Sequence, residues 1–281
     1  MDLTVSEKVV HCVVPLEKLN SAGTTIGLAT GFIMGYCEQT DGRYIPMIVT
    51  NRHVLQNCDS IRTTFTVQRS DGSPDLGHTV SVSTPQSHFF FHPNSSIDLG
   101  CFPFPLSGPN GERLFFSFLQ MNLIPTDSDW NSFDAIESVT MAGYPKGLRD
   151  TVNNFPIVRR GITATPLNVN FEGAPTFLVD MPCFEGCSGS PVFLLNEGGF
   201  IDTRTQCFNL GQSRIFLLGV QYAIPRSQSV GELKLIPSGA PELRPVTQTY
   251  LSIGHVIKSS ALLDFEPIIR AQMRPWTIKC K

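Results

Sequence analysis

Short apolar runs rich in Val, Ile, Thr, Phe and Tyr recur along the whole chain, and clusters of Gly, Pro, Asn, Asp or Ser separate them. Runs with this length and these boundaries are typical of β-strands. We therefore predict about twelve short strands. They cover residues 8–14, 26–35, 44–50, 61–67, 79–83, 97–102, 136–143, 157–163, 176–180, 191–195, 214–223 and 250–257.

Two segments show helical rather than strand-like spacing of their apolar residues. Residues 111–119 form a short candidate helix, and residues 259–272 form a longer one. In the second segment Ser259 or Ser260 can cap the first turn, and the apolar residues fall near one face. Pro267 lies inside this pattern and removes one backbone donor. Many strands with so few helices indicate an all-β protein, either a barrel or a sandwich.

The composition excludes several classes of function. The chain has 281 residues, of which 41% are hydrophobic and 16% charged, and its net charge is −3. A balance this close to neutral gives no reason to expect nucleic-acid binding. An uninterrupted apolar run long enough to cross a membrane is absent, so we expect no membrane partner. The first residues lack the basic start and apolar stretch of a secretory signal, and we therefore expect a cytoplasmic protein.

The eight cysteines are expected to be free thiols, because disulfides are rare in the cytosol. No Cys or His pair has the spacing of a zinc site. His88 and His92 lie close together, but no acidic or Cys partner has matching spacing. We therefore predict no metal and no cofactor. Cys183 and Cys187 are the notable pair, because both lie next to the segment with the strongest chemical signal.

That segment is the run Gly-Cys-Ser-Gly-Ser-Pro at residues 186–191. Glycines on either side of Ser188 allow a tight turn and close approach of a substrate carbonyl. Such a turn can direct the amides of Gly186 and Ser188, together with Cys187, toward one point, as an oxyanion hole requires. An ordinary Gly/Ser turn would look the same when this run is considered alone.

A serine hydroxyl becomes a strong nucleophile only when a base removes its proton. His53 lies on a short turn just after an apolar strand and precedes Val54, so it would be rigidly held. The imidazole in turn needs an acceptor that fixes its tautomer. Asp98 is an acid set among apolar residues, and a buried acid needs a partner. His53, Asp98 and Ser188 together are therefore the candidate catalytic residues.

These motifs resemble those of the trypsin-like peptidases, and most closely the protease domain of the bacterial branch that includes the high-temperature-requirement proteases, without its peptide-binding domain. The similar segments lie at residues 30–33, 49–54, 97–99, 143–148, 186–191, 218–220 and 253–257. The resemblance covers roughly residues 5–272, and the chain order His, Asp, Ser is also the family's.

The resemblance implies a fold and an activity. The expected fold is all-β, with two six-stranded antiparallel β-barrels at about 5–120 and 130–258 and a closing helix at about 259–272. The expected activity is that of a serine endopeptidase, which cleaves peptide bonds through an acyl-enzyme intermediate. Its partners would be protein or peptide substrates, and an activating protein partner is a further hypothesis. The alternative is a catalytically silent, protease-like module that binds proteins.

Cys187 departs from the family pattern, in which Asp or Asn commonly precedes the nucleophile. A Cys cannot form the ion pair by which digestive relatives are activated. Cys187 could itself be a nucleophile, as in the picornaviral cysteine proteases. Their spacing of glycines, however, fits Ser188 and not Cys187.

The resemblance also implies which residues bind the substrate side chain before the scissile bond. The pocket base contains no acid, so a preference for Lys or Arg is not favoured, and a small or apolar side chain is expected. His255 could read a polar side chain or simply be packed. The expected lining residues are Pro182, Cys183, Gly219, Val220, Gly254 and His255.

Overall fold

The computed structural model describes residues 3–202, 205–223, 226–230, 246–250, 252–272 and 278–279. Within these residues the chain forms nineteen strands and four α-helices. The strands are β1 (Val13–Leu19), β2 (Thr25–Tyr36), β3 (Arg43–Thr50), β4 (Ser60–Gln68), β5 (Pro74–Pro85), β6 (Phe90–Phe91), β7 (Gly100–Phe102), β8 (Leu114–Phe115), β9 (Ser138–Gly143), β10 (Ile157–Thr163), β11 (Thr176–Asp180), β12 (Pro191–Asn196), β13 (Gly199–Asp202), β14 (Cys207–Leu210), β15 (Arg214–Ala223), β16 (Arg226–Val230), β17 (Val246–Tyr250), β18 (Ile253–Lys258) and β19 (Ile278–Lys279). The α-helices are α1 (Val5–Cys12), α2 (Arg52–Leu55), α3 (Asp127–Ser132) and α4 (Glu266–Gln272). Single 3₁₀ segments lie at Gln86–His88, Met121–Leu123, Pro145–Gly147, Phe171–Gly173 and Ser259–Phe265.

The second half of the chain forms a closed, six-stranded antiparallel barrel. The strands follow one another around it in the order β10, β11, β18, β15, β12 and β9. Its interior is filled by large apolar side chains such as Met141, Phe177 and Leu218. Inward positions of a small barrel must be filled in this way to exclude water. The prediction of an all-β protein with a six-stranded barrel is confirmed in this half.

The first half forms an antiparallel sheet with the order β5, β4, β1, β2, β3, β7 and β6, to which β8 adds beside β4 and β19 beside β3. Side chains from both ends of this path, such as Val82 and Phe102, belong to one buried cluster, so the sheet curves around its core. Among the described residues no ladder joins its two ends. The second closed barrel of the prediction is therefore not shown.

A buried cluster joins the two halves, and the C-terminal helical segment packs on it. Phe32 of β2, Phe193 of β12 and Phe265 all belong to this cluster. The predicted helix at 259–272 is present, but its first seven residues form a 3₁₀ helix and only Glu266–Gln272 is α-helical. Pro267 is tolerated because it lies in the first turn of α4, where its missing donor is not needed.

Two local predictions were wrong. Residues 5–12 form α1 instead of the start of a strand, because Thr4 and Glu7 cap this helix reciprocally. The predicted helix at 111–119 instead contains β8, which pairs with β4. Phe115 is buried there, and a partner strand together with burial outweighs a weak helical pattern.

Candidate active site

His53 and Asp98 are brought together by the pairing of β3 with β7. Thr50 lies opposite Gly100 in this ladder, and the two candidates lie just beyond its end, on α2 and on the loop before β7. The Nδ1 of His53 is 2.6 Å from Oδ2 of Asp98. The backbone N–H of His53 donates to the other carboxylate oxygen at 2.9 Å. The carboxylate therefore holds both the ring and the main chain of the histidine.

Neighbouring groups fix this pair further. Asn51 donates from Nδ2 to the backbone carbonyl of Asp98 at 2.9 Å, which ties the start of α2 to the loop before β7. Lys18 donates from Nζ to the carbonyl of His53 at 3.2 Å. The His53 side chain is 47% exposed and that of Asp98 is 25% exposed. The imidazole is therefore oriented on one side and open to solvent on the other.

The turn that carries Ser188 depends on two glycines in the left-handed region. Gly186 has φ of 88° and Gly189 has φ of 87°. The amide of Cys187 donates to the carbonyl of Phe184 at 3.1 Å. The amide of Cys187, the predicted third oxyanion donor, is therefore already used in a hydrogen bond within the turn. The amides of Gly186 and Ser188 make no hydrogen bond within the described part of the chain.

The turn is fastened to the first half of the molecule through Thr30. The amide of Thr30 donates to the Ser188 carbonyl at 3.0 Å, and its hydroxyl donates to the Gly186 carbonyl at 2.8 Å. Thr50, three residues before His53, donates its hydroxyl to the Thr30 carbonyl at 2.8 Å. These contacts place the Ser188 turn beside the segment that carries His53. In the described hydrogen-bond network, Ser188 Oγ is not bonded to His53.

Sequence reasoning missed the two threonines. Thr30 lies in the strand segment that resembled the family, but nothing in its sequence context signals a contact with residues 186–188. A β-carbon on Gly189 would lie 2.0 Å from the Thr30 carbonyl oxygen and 2.3 Å from Thr50 Oγ1. Only glycine can therefore occupy that position, and this close approach explains why the motif has glycine after the serine.

The predicted pocket residues fall into separate groups. Cys183 contacts Gly254, because a β-carbon on that glycine would lie 2.7 Å from the Cys183 Sγ. Pro182 is exposed beside them. Gly219 and Val220 lie on β15, where Gly219 allows close approach of the Ile257 carbonyl. Val220 packs into the cluster between the two halves.

His255 faces a different environment from Gly254. Its ring lies edge-on to those of Phe171 and Tyr222, each with its centroid 5.9 Å away. Burial lowers the pKa of His255, which favours a neutral imidazole, although Glu172 opposes this shift. Burial raises the pKa of Tyr222, and the negative charges of Asp98 and Glu172 raise it further. Tyr222 therefore lies near the candidate catalytic carboxylate of Asp98, and the ring of His255 lies beside that of Tyr222.

All the cysteines in the described residues are free, and Cys280 lies outside them. Burial raises the pKa of Cys183 to about 12, and it also raises the pKa of Cys187. Nucleophilic attack by sulfur requires the thiolate. A buried thiol with a raised pKa is a poor nucleophile, so the environment of Cys187 favours Ser188 in that role.

A family model described as the trypsin-like peptidase domain matches residues 29–201, which include His53, Asp98 and Ser188. The chain belongs to the trypsin-like peptidase family. The prediction of a serine protease is thereby confirmed at the level of the family. Among solved structures, the thermostable serine protease AL20 from an extremophilic microorganism is similar, with 11% identity, coverage of 92% of this chain and 97% of that chain, and a TM-score of 0.46. No curated protein matches this peptidase in sequence.

Two further findings concern metal binding and membrane insertion of this peptidase. In the described ranges, no group of three or more His, Cys, Asp or Glu side chains is arranged to hold a metal ion. None of the helices described for this chain is both long and apolar enough to span a membrane. The predicted cytoplasmic location is not tested by either finding and stays a prediction.

Proposed function

We propose that this chain is a serine endopeptidase whose catalytic residues are His53, Asp98 and Ser188. In this mechanism His53 takes the proton of Ser188 Oγ while that oxygen attacks the substrate carbonyl. Asp98 holds the imidazole in the required tautomer and stabilises its protonated form. His53 then donates the proton to the leaving amine, and water hydrolyses the acyl-enzyme in a second, analogous step.

The 2.6 Å contact between His53 Nδ1 and Asp98 Oδ2 is the observation that carries this proposal. It leaves Nε2 as the ring nitrogen available to a serine. An exposed surface pair would offer the same contact, but this pair also has a second carboxylate bond to the His53 amide at 2.9 Å. Because the carboxylate of Asp98 contacts both the ring and the backbone of His53, these contacts support a role of Asp98 in positioning His53.

The amides of Gly186 and Ser188 are proposed to bind the oxyanion. Both lack a hydrogen-bond acceptor in the described structure, whereas the Cys187 amide has one. Preorganised donors of this kind stabilise the charge that develops on the carbonyl oxygen, and removal of one donor typically costs about 10²–10³-fold in rate. The free pair therefore supports acyl transfer over simple peptide binding.

For the side chain before the scissile bond we propose an uncharged residue, small or apolar from the sequence alone. The pocket residues Pro182 and Cys183 carry no negative charge that would attract Lys or Arg. Activation by a protein partner also remains a proposal. The second candidate function is a silent binding module, which is favoured by the lack of a hydrogen bond between Ser188 Oγ and His53 in the described network.

A fluorophosphonate probe distinguishes these functions. We expect it to modify wild-type protein at Ser188, to leave Ser188→Ala unmodified, and to modify the matched control Ser190→Ala. Peptide mapping by mass spectrometry identifies the labelled residue. Labelling that survives in Ser188→Ala would contradict the assignment, and absence of labelling in the wild type would favour the silent module.

A second measurement separates an autonomous enzyme from one that needs a partner. Purified protein is incubated with casein and with a peptide library, and cleavage is followed by mass spectrometry. If the probe labels Ser188 but no substrate is cut, the nucleophile is competent and activation is required. Strong unassisted turnover would exclude the need for a partner.

A further inference from the structure

The side-chain amide oxygen of Gln221 is buried near the proposed nucleophile and has no hydrogen-bond partner. The residue is fully buried. Its Nε2 donates to the backbone carbonyl of Ala223 at 3.1 Å, but its Oε1 has no hydrogen-bond partner. A buried acceptor without a donor is costly and rare, and such a group in a native structure needs an explanation. A ligand that brings a donor is one such explanation.

The backbone of Gln221 is bonded directly to the Ser188 turn. The Gly189 amide donates to the Gln221 carbonyl at 2.9 Å, and the Gln221 amide donates to the Ser190 carbonyl at 2.9 Å. Both partners lie within two residues of the proposed nucleophile. The position of Gln221 relative to Ser188 is therefore fixed by the same contacts that shape the turn.

The side chain of Gln221 lies close to two residues that the sequence predicts for the specificity pocket. A β-carbon on Gly254 would lie 2.7 Å from Cys183 Sγ and 3.7 Å from Gln221 Cγ. Cys183 Sγ and Gln221 Cγ therefore both lie near the α-carbon of Gly254, which has no side chain. Sequence analysis placed Cys183 and Gly254 in the pocket and missed Gln221, because its place in a strand-like segment gave no sign that its side chain was unpaired.

The residues just after Gln221 and just before Cys183 in the chain are less buried than Gln221 and Cys183 themselves. Tyr222 and Ala223, the next two residues, are half-buried, and Pro182 beside Cys183 is exposed. Burial therefore falls along the chain within two residues of Gln221.

A positive charge lies beside Pro182 and Cys183. Arg159 donates to the backbone carbonyl of Pro182, and its guanidinium lies 5.1 Å from the centre of the Phe184 ring. A substrate Lys or Arg would meet this cation and would be repelled. A substrate carboxylate would place its oxygens against the unpaired oxygen of Gln221, which cannot donate to them. An uncharged donor avoids both conflicts.

We propose that Gln221 determines specificity by accepting a hydrogen bond, through Oε1, from an uncharged polar side chain on the residue before the scissile bond, of the class Asn, Gln, Ser or Thr. This inference rests on the proposed function and replaces its small or apolar preference with a requirement for a donor. A site built to pair with a donor strongly rejects an isostere that lacks one.

The test uses peptidyl diphenyl phosphonates in pairs that differ only in the donor at the position before the reactive phosphorus. Suitable pairs have side chains that correspond to Thr and Val, and to Asn and Leu. Ser188 Oγ attacks the phosphorus, its proton passes to His53, and phenoxide leaves. Second-order rates of modification are measured by intact mass spectrometry. We expect the donor member of each pair to react on the order of ten- to a hundred-fold faster with the wild type.

Two variants make the test specific. Gln221→Met keeps the length of the side chain but removes the carboxamide, and we expect the ratio within each pair to fall toward one. Tyr36→Phe is the matched control, because the Tyr36 hydroxyl is also buried without a partner but lies in the cluster between the halves. It should keep the wild-type ratio.

The outcomes separate this inference from the proposed function. Modification of Ser188 at equal rates within the pairs, or a wild-type ratio in Gln221→Met, would overturn the role of Gln221 and leave the nucleophile intact. Preference for an Asp or Glu analogue would also overturn it, because Arg159 would then be the recognising group. If no phosphonate modifies Ser188, the proposed function fails and the inference fails with it.

Discussion

The His53–Asp98 pair and the Ser188 turn are held in place by different kinds of contact. The pair is joined by a side-chain contact of 2.6 Å, and both members lie in the first half of the chain. The turn is held by backbone carbonyls and amides, and its main anchor, Thr30, belongs to the opposite half. The His53–Asp98 pair is held within one sheet, whereas the position of the Ser188 turn depends on how the two halves of the chain pack together.

This difference indicates which part of the site is more sensitive to packing. The pair depends on the ladder between β3 and β7 and on Asn51. The turn requires that Gly189 approach Thr30 and Thr50 more closely than any side chain would allow. We therefore expect small steric changes to disrupt the turn and changes of charge to disrupt the pair.

The largest effect is expected for Gly189→Ala. Its added β-carbon would lie 2.0 Å from a backbone oxygen, so the turn must move away from Thr30. We expect complete loss of fluorophosphonate labelling and a loss of about 3 kcal/mol or more in the free energy of unfolding, measured with urea.

Gly198→Ala is the matched control for this change. Gly198 also has positive φ, of 78°, but no atom lies within 4 Å of its added β-carbon. Its cost should be only the backbone strain of about 1–2 kcal/mol, with labelling preserved. Normal labelling of Gly189→Ala would show that the close approach is not needed for the site.

The next largest effect is expected for Asp98→Asn. The amide has nearly the same shape as the carboxylate but cannot stabilise a protonated imidazole and favours the wrong tautomer. We expect activity to fall by about four orders of magnitude, measured as the rate of peptide hydrolysis. Folding should change much less.

A second His–Asp pair provides the control. His78 Nδ1 lies 2.7 Å from Asp75 Oδ2 on the surface, with His78 74% exposed. Asp75→Asn removes a comparable contact and should leave the rate unchanged. If both variants lost activity equally, the effect would be one of general charge and not of the His53–Asp98 pair.

A smaller effect is expected for Thr30→Val, which tests the anchor between the halves. The Thr30 hydroxyl donates to the Gly186 carbonyl and accepts from the Tyr144 amide at 2.9 Å. Its loss leaves buried polar groups unpaired, so we expect a loss of about 2 kcal/mol in stability and a fall of roughly 10- to 100-fold in hydrolysis rate.

Thr84→Val serves as the comparison, because the Thr84 hydroxyl donates to the Pro103 carbonyl at 3.1 Å away from the proposed site. It should lower stability by about 1 kcal/mol without a matching loss in rate. An equal loss of rate in both variants would show that the Thr30 contact acts through stability alone.

The sequence was sufficient to predict the candidates themselves but not the contacts that hold them. His53 and Asp98 were predicted from their apolar surroundings, and their pairing follows from strand register. Thr30 and Gln221 were missed because their importance depends on a partner more than thirty residues away in the chain. Such contacts have no local pattern, so only the fold reveals them.

One error in the fold prediction has a different cause. The helix at Val5–Cys12 did have a local signal, the Thr4 and Glu7 capping box, but the apolar run was assigned to a strand. Closure of the first sheet, which the described residues do not show, has in contrast no local signal at all. Whether the ends of a sheet pair depends on tilt and register over the whole sheet, and neither is encoded in one strand.

The smallest effect concerns the thiol of Cys183 in the predicted pocket. The folded state favours the neutral form of this thiol, whereas Asp98 is expected to act in its charged form. Burial raises the pKa of Cys183 from 9.0 to about 12. The folded chain therefore retains this proton at pH values where the unfolded chain loses it. Loss of the proton therefore favours the unfolded chain. The free energy of unfolding is unaffected by this thiol below pH 9 and falls progressively between pH 9 and 12, with about 1 kcal/mol lost by pH 10.

Urea unfolding in reducing buffer at pH 8 and pH 10 measures this loss. It should be smaller in Cys183→Ala than in the wild type, whereas Cys207→Ala, which removes an exposed thiol, should behave like the wild type. Equal losses in all three proteins would show that the Cys183 thiol adds nothing to the alkaline loss caused by the other buried cysteines, whose pKa values burial also raises.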